Sequence, residues 1–576
     1  MIASREQTLT SLAQMIHAAR EGPVDLLLRN ARCFDLFNGA IREGNIAIHD
    51  GMIIGFGQYS ALREIDLAGA YLCPGLIDGH IHIESTMVSP VEFGRAVLPR
   101  GTTAVVADPH ELANVWGIQG IKYMLSANAY TPLDIFVILP SCVPATQMET
   151  SGATLSAEEL IPFKDHPMVP GLGEVMNYPG VIHGEPGIME KLAAFSDQVI
   201  DGHCPGLSGR ELCAYVAAGI HSDHECATLE EAREKLSLGM AVMIREGSTA
   251  RNLEALLPLA QKSHSHHLMF VTDDKNPGDL WEDGHLDHIL RRAVALGLDL
   301  FTAVRMATLN PAKYFRLRDR GALAPGYRAD LVAFDDLEHF RVRLVIKDGV
   351  EVARDGRLTD LASAPGPSAP PSDLTIRGLS SESLRVKREG EHVRVMGLVP
   401  GQIITEKLLL PAWGKGPELA ADPESDLLKV AVVERHRGTG RVGVGFIRGM
   451  GLQQGALAST VAHDSHNLIL VGTRDEDMLE AAEEVRRMGG GQAIVSAGST
   501  IASFPLPIAG LMSDQGVLQA RSSSQKIIHA AKELGCKPLD PFMSLSFLAL
   551  PVIPHLKLTD LGLVDVDSFQ IISLFH

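Results

Sequence analysis

The sequence predicts an α/β protein built on an eight-stranded (β/α)8, TIM-like barrel. A small β-sandwich drawn from both flanks stands beside it, and an additional C-terminal α+β domain follows. Three observations lead there. Eight short apolar, β-branched runs alternate with helical stretches, turn-punctuated β segments flank them on both sides, and a Pro/Ala/Ser-rich stretch sets off the last part of the chain.

Each element has its own reason. The opening MIASREQTLTSLAQMIHAAR carries charges among its apolar positions and reads as an amphipathic helix, not a signal peptide. Residues 24–72 follow with β runs such as VDLLLRNARCFD and NGAIREGNIAIHDGMIIGFG, broken at Asn-Gly and Asp-Gly turns. Residues 321–356 repeat that texture, so both flanks should share one small β unit. Between them come YLCPGLIDGH, TTAVVADPHE, DIFVILPSCVP, MVPGLGEVMN, QVIDGHCPG, AGIHSDHE, MAVMIREGS and HLMFVTDD. Segments with helical apolar spacing, such as TLEEAREKLSLG, separate them. A doubly wound open sheet is the alternative arrangement of the same pattern. LASAPGPSAPPS, residues 361–372, is a linker by composition. The expected divisions are 1–78 (helix and part of the sandwich), 79–317 (barrel), 318–360 (rest of the sandwich), 361–372 (linker) and 373–576 (C-terminal domain).

Bulk properties narrow the function. A chain of 576 residues is too long for one core. Its net charge of −19, from 51 basic and 70 acidic residues, argues against a nucleic-acid partner. Seven cysteines without CxxC spacing point to reduced thiols and a cytoplasmic location. No apolar stretch reaches the roughly 18 residues of a membrane span. The expected partner is a small-molecule substrate, with a second copy of the chain forming a homo-oligomer, most simply a dimer.

In a barrel of this kind the strands' C-terminal ends share one mouth, where the chemistry sits. The first run ends in His80, His82 and Glu84; the second in Asp108, His110 and Glu111; the fourth in Glu174; the fifth in His203. The sixth ends in Asp223, His224 and Glu225, the seventh in Arg245 and Glu246, the eighth in Asp273 and Asp274. His80 and His82, two apart on a strand, face the same side and can hold one metal. Four histidines and two carboxylates suffice for two divalent ions, with a carboxylate such as Glu174 between them. DPHE at 108–111 reads equally as a helix-capping turn. HIE lacks the P-C-x-x-C of zinc deaminases, HELAN has Asn114 where a zincin needs histidine, and there is no Walker loop.

PGLIDGHIHIEST resembles the opening motif of the amidohydrolase superfamily. ADPHELANVWG, GLGEVMNYPGVI, DGHCPGLSG, SDHECAT, REGSTARN and TDD, with VAHDSHNLILVGTRDEDM and FPLPIAGLMSD beyond the linker, resemble its adenine deaminase family over nearly the whole chain. The resemblance implies that His80 and His82 bind a first metal with Asp273 beside it. It implies that Glu174 bridges to a second, held by His203 and His224. The reaction it implies is hydrolysis of free adenine to hypoxanthine and ammonia, a step of purine salvage in which metal-activated hydroxide attacks C6. Asp273 would move the proton; Glu185 is the candidate to protonate N1, with a solvated loop acid as its equal alternative, and His110 and Glu246 are candidates to read the purine edge. His and carboxylate ligands suit zinc, iron(II) and manganese(II); the resemblance favours iron or manganese. The alternative is another amidohydrolase reaction, such as cyclic amide hydrolysis or deamination of a different nucleobase. HDSHN at 463–467 reads either as a further metal or pocket site or as a polar turn before LILVG.

Overall fold

The computed structural model describes residues 5–248, 250–260, 265–359, 366–370 and 374–576. The expected linker therefore lies outside the described residues except for 366–370. The eight apolar runs all contain strands: Leu76–His82, Thr102–Ala107, Asp134–Val137, Gly171–Val175, Val199–Gly202, Ser222–Asp223, Ala241–Arg245 and Leu268–Val271. Most are buried along their whole length, as parallel strands covered by helices should be.

Their neighbours follow chain order. The first strand pairs with the second, and the second with the third, both in parallel. Leu139, just past the third, bridges Leu172 of the fourth, and the fourth pairs with the fifth. His221 N donates to Ile200 O at 3.5 Å between the fifth and sixth. The sixth pairs with the seventh and the seventh with the eighth. The chain then continues through Asp273–Asp274, which pairs in parallel with Ile81 and His82 of the first. Helices fill the intervals and start where the local sequence caps them. Ser89 accepts from Glu92 N with Pro90 in the first turn, Thr228 caps Glu231, and Asn276 caps Asp279.

The two flanks meet in one nine-stranded sheet. Leu331–Phe334 pairs antiparallel with Tyr71–Pro74, joining residues far apart in the chain. Its hairpins turn at Asp50-Gly51, Asp348-Gly349 and Asp355-Gly356, where both residues have positive φ. Glycine and aspartate accept that conformation, and it matches the strands' twist. The N-terminal helix Arg5–Arg20 rests on this sheet through Ala18, beside Val24 and Leu27. Leu9, Leu12 and Ile16 stay exposed, so the helix packs through less of its apolar face than its pattern suggests.

From residue 374 onward the structure is mostly sheet rather than an even mix of helix and strand. Eight strands run in the order 405–411, 392–398, 442–448, 427–433, 468–472, 456–459, 491–496 and 499–505. The helices Asp475–Arg487 and Val517–Glu533 accompany them. β-branched runs such as LLKVAVV and LILVG are buried from end to end, which favours central strands.

Candidate metal centre and active site

Six side chains from five strand ends meet at one place. His80 and His82 bring their Nε2 atoms to 3.3 Å of each other. Glu174 Oε1 lies 3.2 Å from the first and 2.9 Å from the second. Asp273 Oδ1 stands 3.7 and 3.2 Å from the same two nitrogens. On the other side, His203 Nδ1 and His224 Nε2 are 3.3 Å apart. Glu174 turns its second oxygen to them, at 3.2 and 4.0 Å. One carboxylate thus offers one oxygen to each histidine pair.

The donors fit a divalent cation better than they fit one another. His82 Nδ1 is 3.1 Å from the carbonyl of Asp108, and His80 Nδ1 is 3.3 Å from Asp201 Oδ2. With those nitrogens carrying the protons, both Nε2 lone pairs face inward, the orientation a metal-binding imidazole takes. Glu174 Oε1 is buried and accepts no hydrogen bond among the described residues. Within the cluster, His80–His82–Asp273 and His80–Glu174–His224 each hold three ligand atoms within 4.8 Å of one another. Histidine nitrogen with carboxylate oxygen is the donor set of zinc, iron and manganese sites alike.

Electrostatics agree. Burial disfavours the charged form of His80, yet Asp201 and Glu174 outweigh it and push it up to about 10. Burial would raise Glu174, but His82, His203 and His80 hold it well below the usual carboxylate range. Burial also opposes Asp273, which His82 and Arg245 keep ionised. Burial and the neighbouring His80 press His224 down to about 3, leaving a neutral imidazole. The buried acids require positive charge, and a divalent cation can supply it in place of protons. Asp273 itself has φ 58, an uncommon backbone for a residue other than glycine, at the break between the eighth strand and its continuation.

Supporting charges sit behind the cluster. Arg245 forks onto Glu225 and also donates to Asp273 Oδ2 at 3.0 Å. Buried Lys235 donates to Asp223 at 3.0 Å, Glu231 at 2.8 Å and the Cys204 carbonyl at 2.7 Å, fixing the ends of the fifth and sixth strands. Asp223→Ala should lower stability by about 3 kcal/mol, since it strips a buried ammonium of one partner while Glu231 remains. A shifted urea midpoint at unchanged slope would register it. Burial raises Asp223, but Lys235 and the backbone N–H of Cys204 hold its pKa down. Its contribution is therefore full above its unfolded value, about 3.9, and is lost as pH falls through the depressed folded value.

The cavity over the cluster is lined by His82, His110, Glu111, Glu174, Met176, His203, His224, Glu225, Arg245, Asp273 and Asp274. The far part of the chain closes it with His463, Asp464, Ile403, Phe547, Leu550, Val552 and Ile553. Lys557 donates to the carbonyls of Ile403 and Phe547, both at 2.9 Å, and so ties two pieces of this wall together. Of the other expected residues, His110 lines the cavity, its Nδ1 3.9 Å from Glu174 Oε1. Glu185 does not. It is exposed and accepts from Asn177 Nδ2 at 2.9 Å, because the helix Tyr178–His183 carries the chain out of the mouth after the fourth strand. Glu246 is buried but faces Arg292 and the amide of Leu253, outside the cavity lining. The sequence reading missed the apolar wall altogether. HDSHN was the one candidate site it named in the C-terminal part, and a polar turn explained that at least as well.

Residues 71–352 match the amidohydrolase family, and residues 402–570 match the adenine deaminase C-terminal domain. Fold and histidine–carboxylate cluster together define the class, an amidohydrolase. Adenine deaminase 2 of Carboxydothermus hydrogenoformans is 49% identical over 553 residues, covering 96% of this chain and 97% of that protein. The adenine deaminase of Desulfatibacillum aliphaticivorans is 49% identical over 573 residues, covering 98% and 99%. That of Oleidesulfovibrio alaskensis is 50% identical over 567 residues, covering 97% and 98%. The chain belongs to the adenine deaminase family.

Proposed function

We propose that the protein hydrolyses free adenine to hypoxanthine and ammonia, a step of purine salvage, at a two-cation site in the mouth of a (β/α)8 barrel. The observation that carries this reading is the split carboxylate of Glu174, one oxygen toward His80 and His82 and the other toward His203 and His224. The first pair, with Asp273, would hold one ion, and the second pair the other. The return of the chain-ordered parallel strands to the first supports the barrel. The reading keeps the division into helix and sandwich, barrel, linker and C-terminal domain. Free, unpaired cysteines suit a cytoplasmic enzyme, and the exposed Leu9, Leu12 and Ile16 stripe suits a homodimer.

The ions, iron(II) or manganese(II) with zinc as a further fit, would supply a water acidic enough to attack at neutral pH. The chain supplies the rest. Asp273, ionised and oriented by Arg245, accepts a proton at Oδ1 and returns it to the departing amine. His110 is placed to read the substrate's edge. The apolar wall beyond the linker excludes water from the face it covers.

Metal removal tests the reading directly. Ammonia release from adenine should vanish after chelation and return with about two equivalents of manganese(II) or iron(II) per chain. Cytosine and hydantoin should be poor substrates in the same assay. Adenine left intact by the metal-loaded protein, with cytosine deaminated or hydantoin opened instead, would move the activity to another amidohydrolase reaction.

A further inference from the structure

We infer that the C-terminal domain completes the active site with His463, whose Nε2 contacts a ring nitrogen of the substrate's purine. The inference rests on the adenine reading above.

His463 stands in the segment between the strands Ala456–Ser459 and Leu468–Gly472 and lines the same cavity as Glu174 and Asp273. The residue is only 4% exposed. Two contacts fix its orientation. Nδ1 is 3.3 Å from Glu111 Oε1, a carboxylate of the barrel part, and the ring stacks on Phe547 with centroids 4.8 Å apart. Nε2 is buried and has no hydrogen-bond partner among the described residues. A buried, unsatisfied polar atom is costly unless a ligand meets it.

Glu111, His463 and His466 have residue types that could hold a third cation. The tautomer of His466 speaks against one. Its Nδ1 accepts from Ala462 N at 3.1 Å, so the proton is on Nε2, which faces Glu111 Oε2 at 3.7 Å. That nitrogen carries the proton and so has no lone pair for a metal, and at this distance it makes no hydrogen bond among the described residues. Both oxygens of Glu111 then face imidazoles of the C-terminal domain, and of the two histidines only His463 lines the cavity, so its Nε2 is the nitrogen open to a ligand there. A rigid, desolvated imidazole of this kind matches the nitrogen-rich edge of a planar heteroaromatic base, and Phe547 behind it holds the ring in place. Glu111 is a positioning residue that acts through His463.

The test compares metal-loaded wild type with His463→Ala and His463→Gln on adenine and on 3-deaza-, 7-deaza- and 9-deazaadenine. Loss of this contact should lower kcat/KM for adenine by about 10- to 100-fold in the alanine variant, mostly through KM, with metal content unchanged. The wild-type preference for adenine over one of the three analogues should shrink by a similar factor. The glutamine variant, which keeps a polar atom near Nε2 and guards against loss of folding, should recover part of both effects. Glu111→Gln should change the pH profile of kcat/KM more than its maximum. Unchanged kcat/KM in both His463 variants, or intact discrimination against all three analogues, would overturn the inference. A wild-type protein that binds metal but leaves adenine untouched would overturn the functional reading instead.

Discussion

Glu174→Ala is expected to lower turnover by about 10³-fold or more and to deplete metal from the purified protein. The ions' stabilisation of developing charge is worth several kcal/mol, and each ~1.4 kcal/mol is a factor of ten in rate. Glu174 stands within 4.0 Å of all four cluster histidines, closer to all four together than any other acid of the cluster. Its removal leaves each histidine pair without the shared charge and lets like groups repel across the gap. Glu174→Gln separates shape from charge, because it fills the same space with a neutral group. It should also fail to hold both ions. Metal analysis alongside ammonia release reads both effects. Full activity with two equivalents bound in either variant would remove Glu174 from the bridge and with it the two-ion reading.

The second large effect is expected at Asp273. Asp273→Asn keeps the side-chain volume and the approach to Arg245 but cannot accept a proton. General acid–base catalysis contributes typically about 10²–10⁴-fold, and the loss should fall in that range in kcat. His80 and His82 remain in place, so most of the first ion's site survives and metal content should change less than in Glu174→Ala. Retained turnover with the metals still bound would take Asp273 out of the proton path.

Much of this site was legible one strand at a time. His80 and His82 alternate correctly on a strand whose apolar residues and flanking glycine mark it, and each other proposed ligand ends an apolar run of the same kind. Strand periodicity is local, so the sequence shows it. The Asp-Gly hairpins of the flanking sheet were legible for the same reason, since a positive-φ turn needs those residues. Glu185 was misplaced because its proximity to Glu174 in sequence says nothing about the direction of the helix between them. Glu246, beside Arg245, faces Arg292, a partner 46 positions away that no spacing rule reveals.

What the sequence determined by itself is therefore the inventory: a strand-and-helix alternation and the histidines and acids at its strand ends. What only the tertiary structure decided is the company each group keeps. Glu174 splitting its oxygens between two histidine pairs, Arg245 joining Glu225 to Asp273, and His463 meeting Glu111 across a domain border are all distances between residues remote in the chain. Local patterning reflects backbone geometry and burial within a few residues. Convergence depends on how strands and domains pack, and charges that share a dry cavity are coupled only once that packing has brought them there.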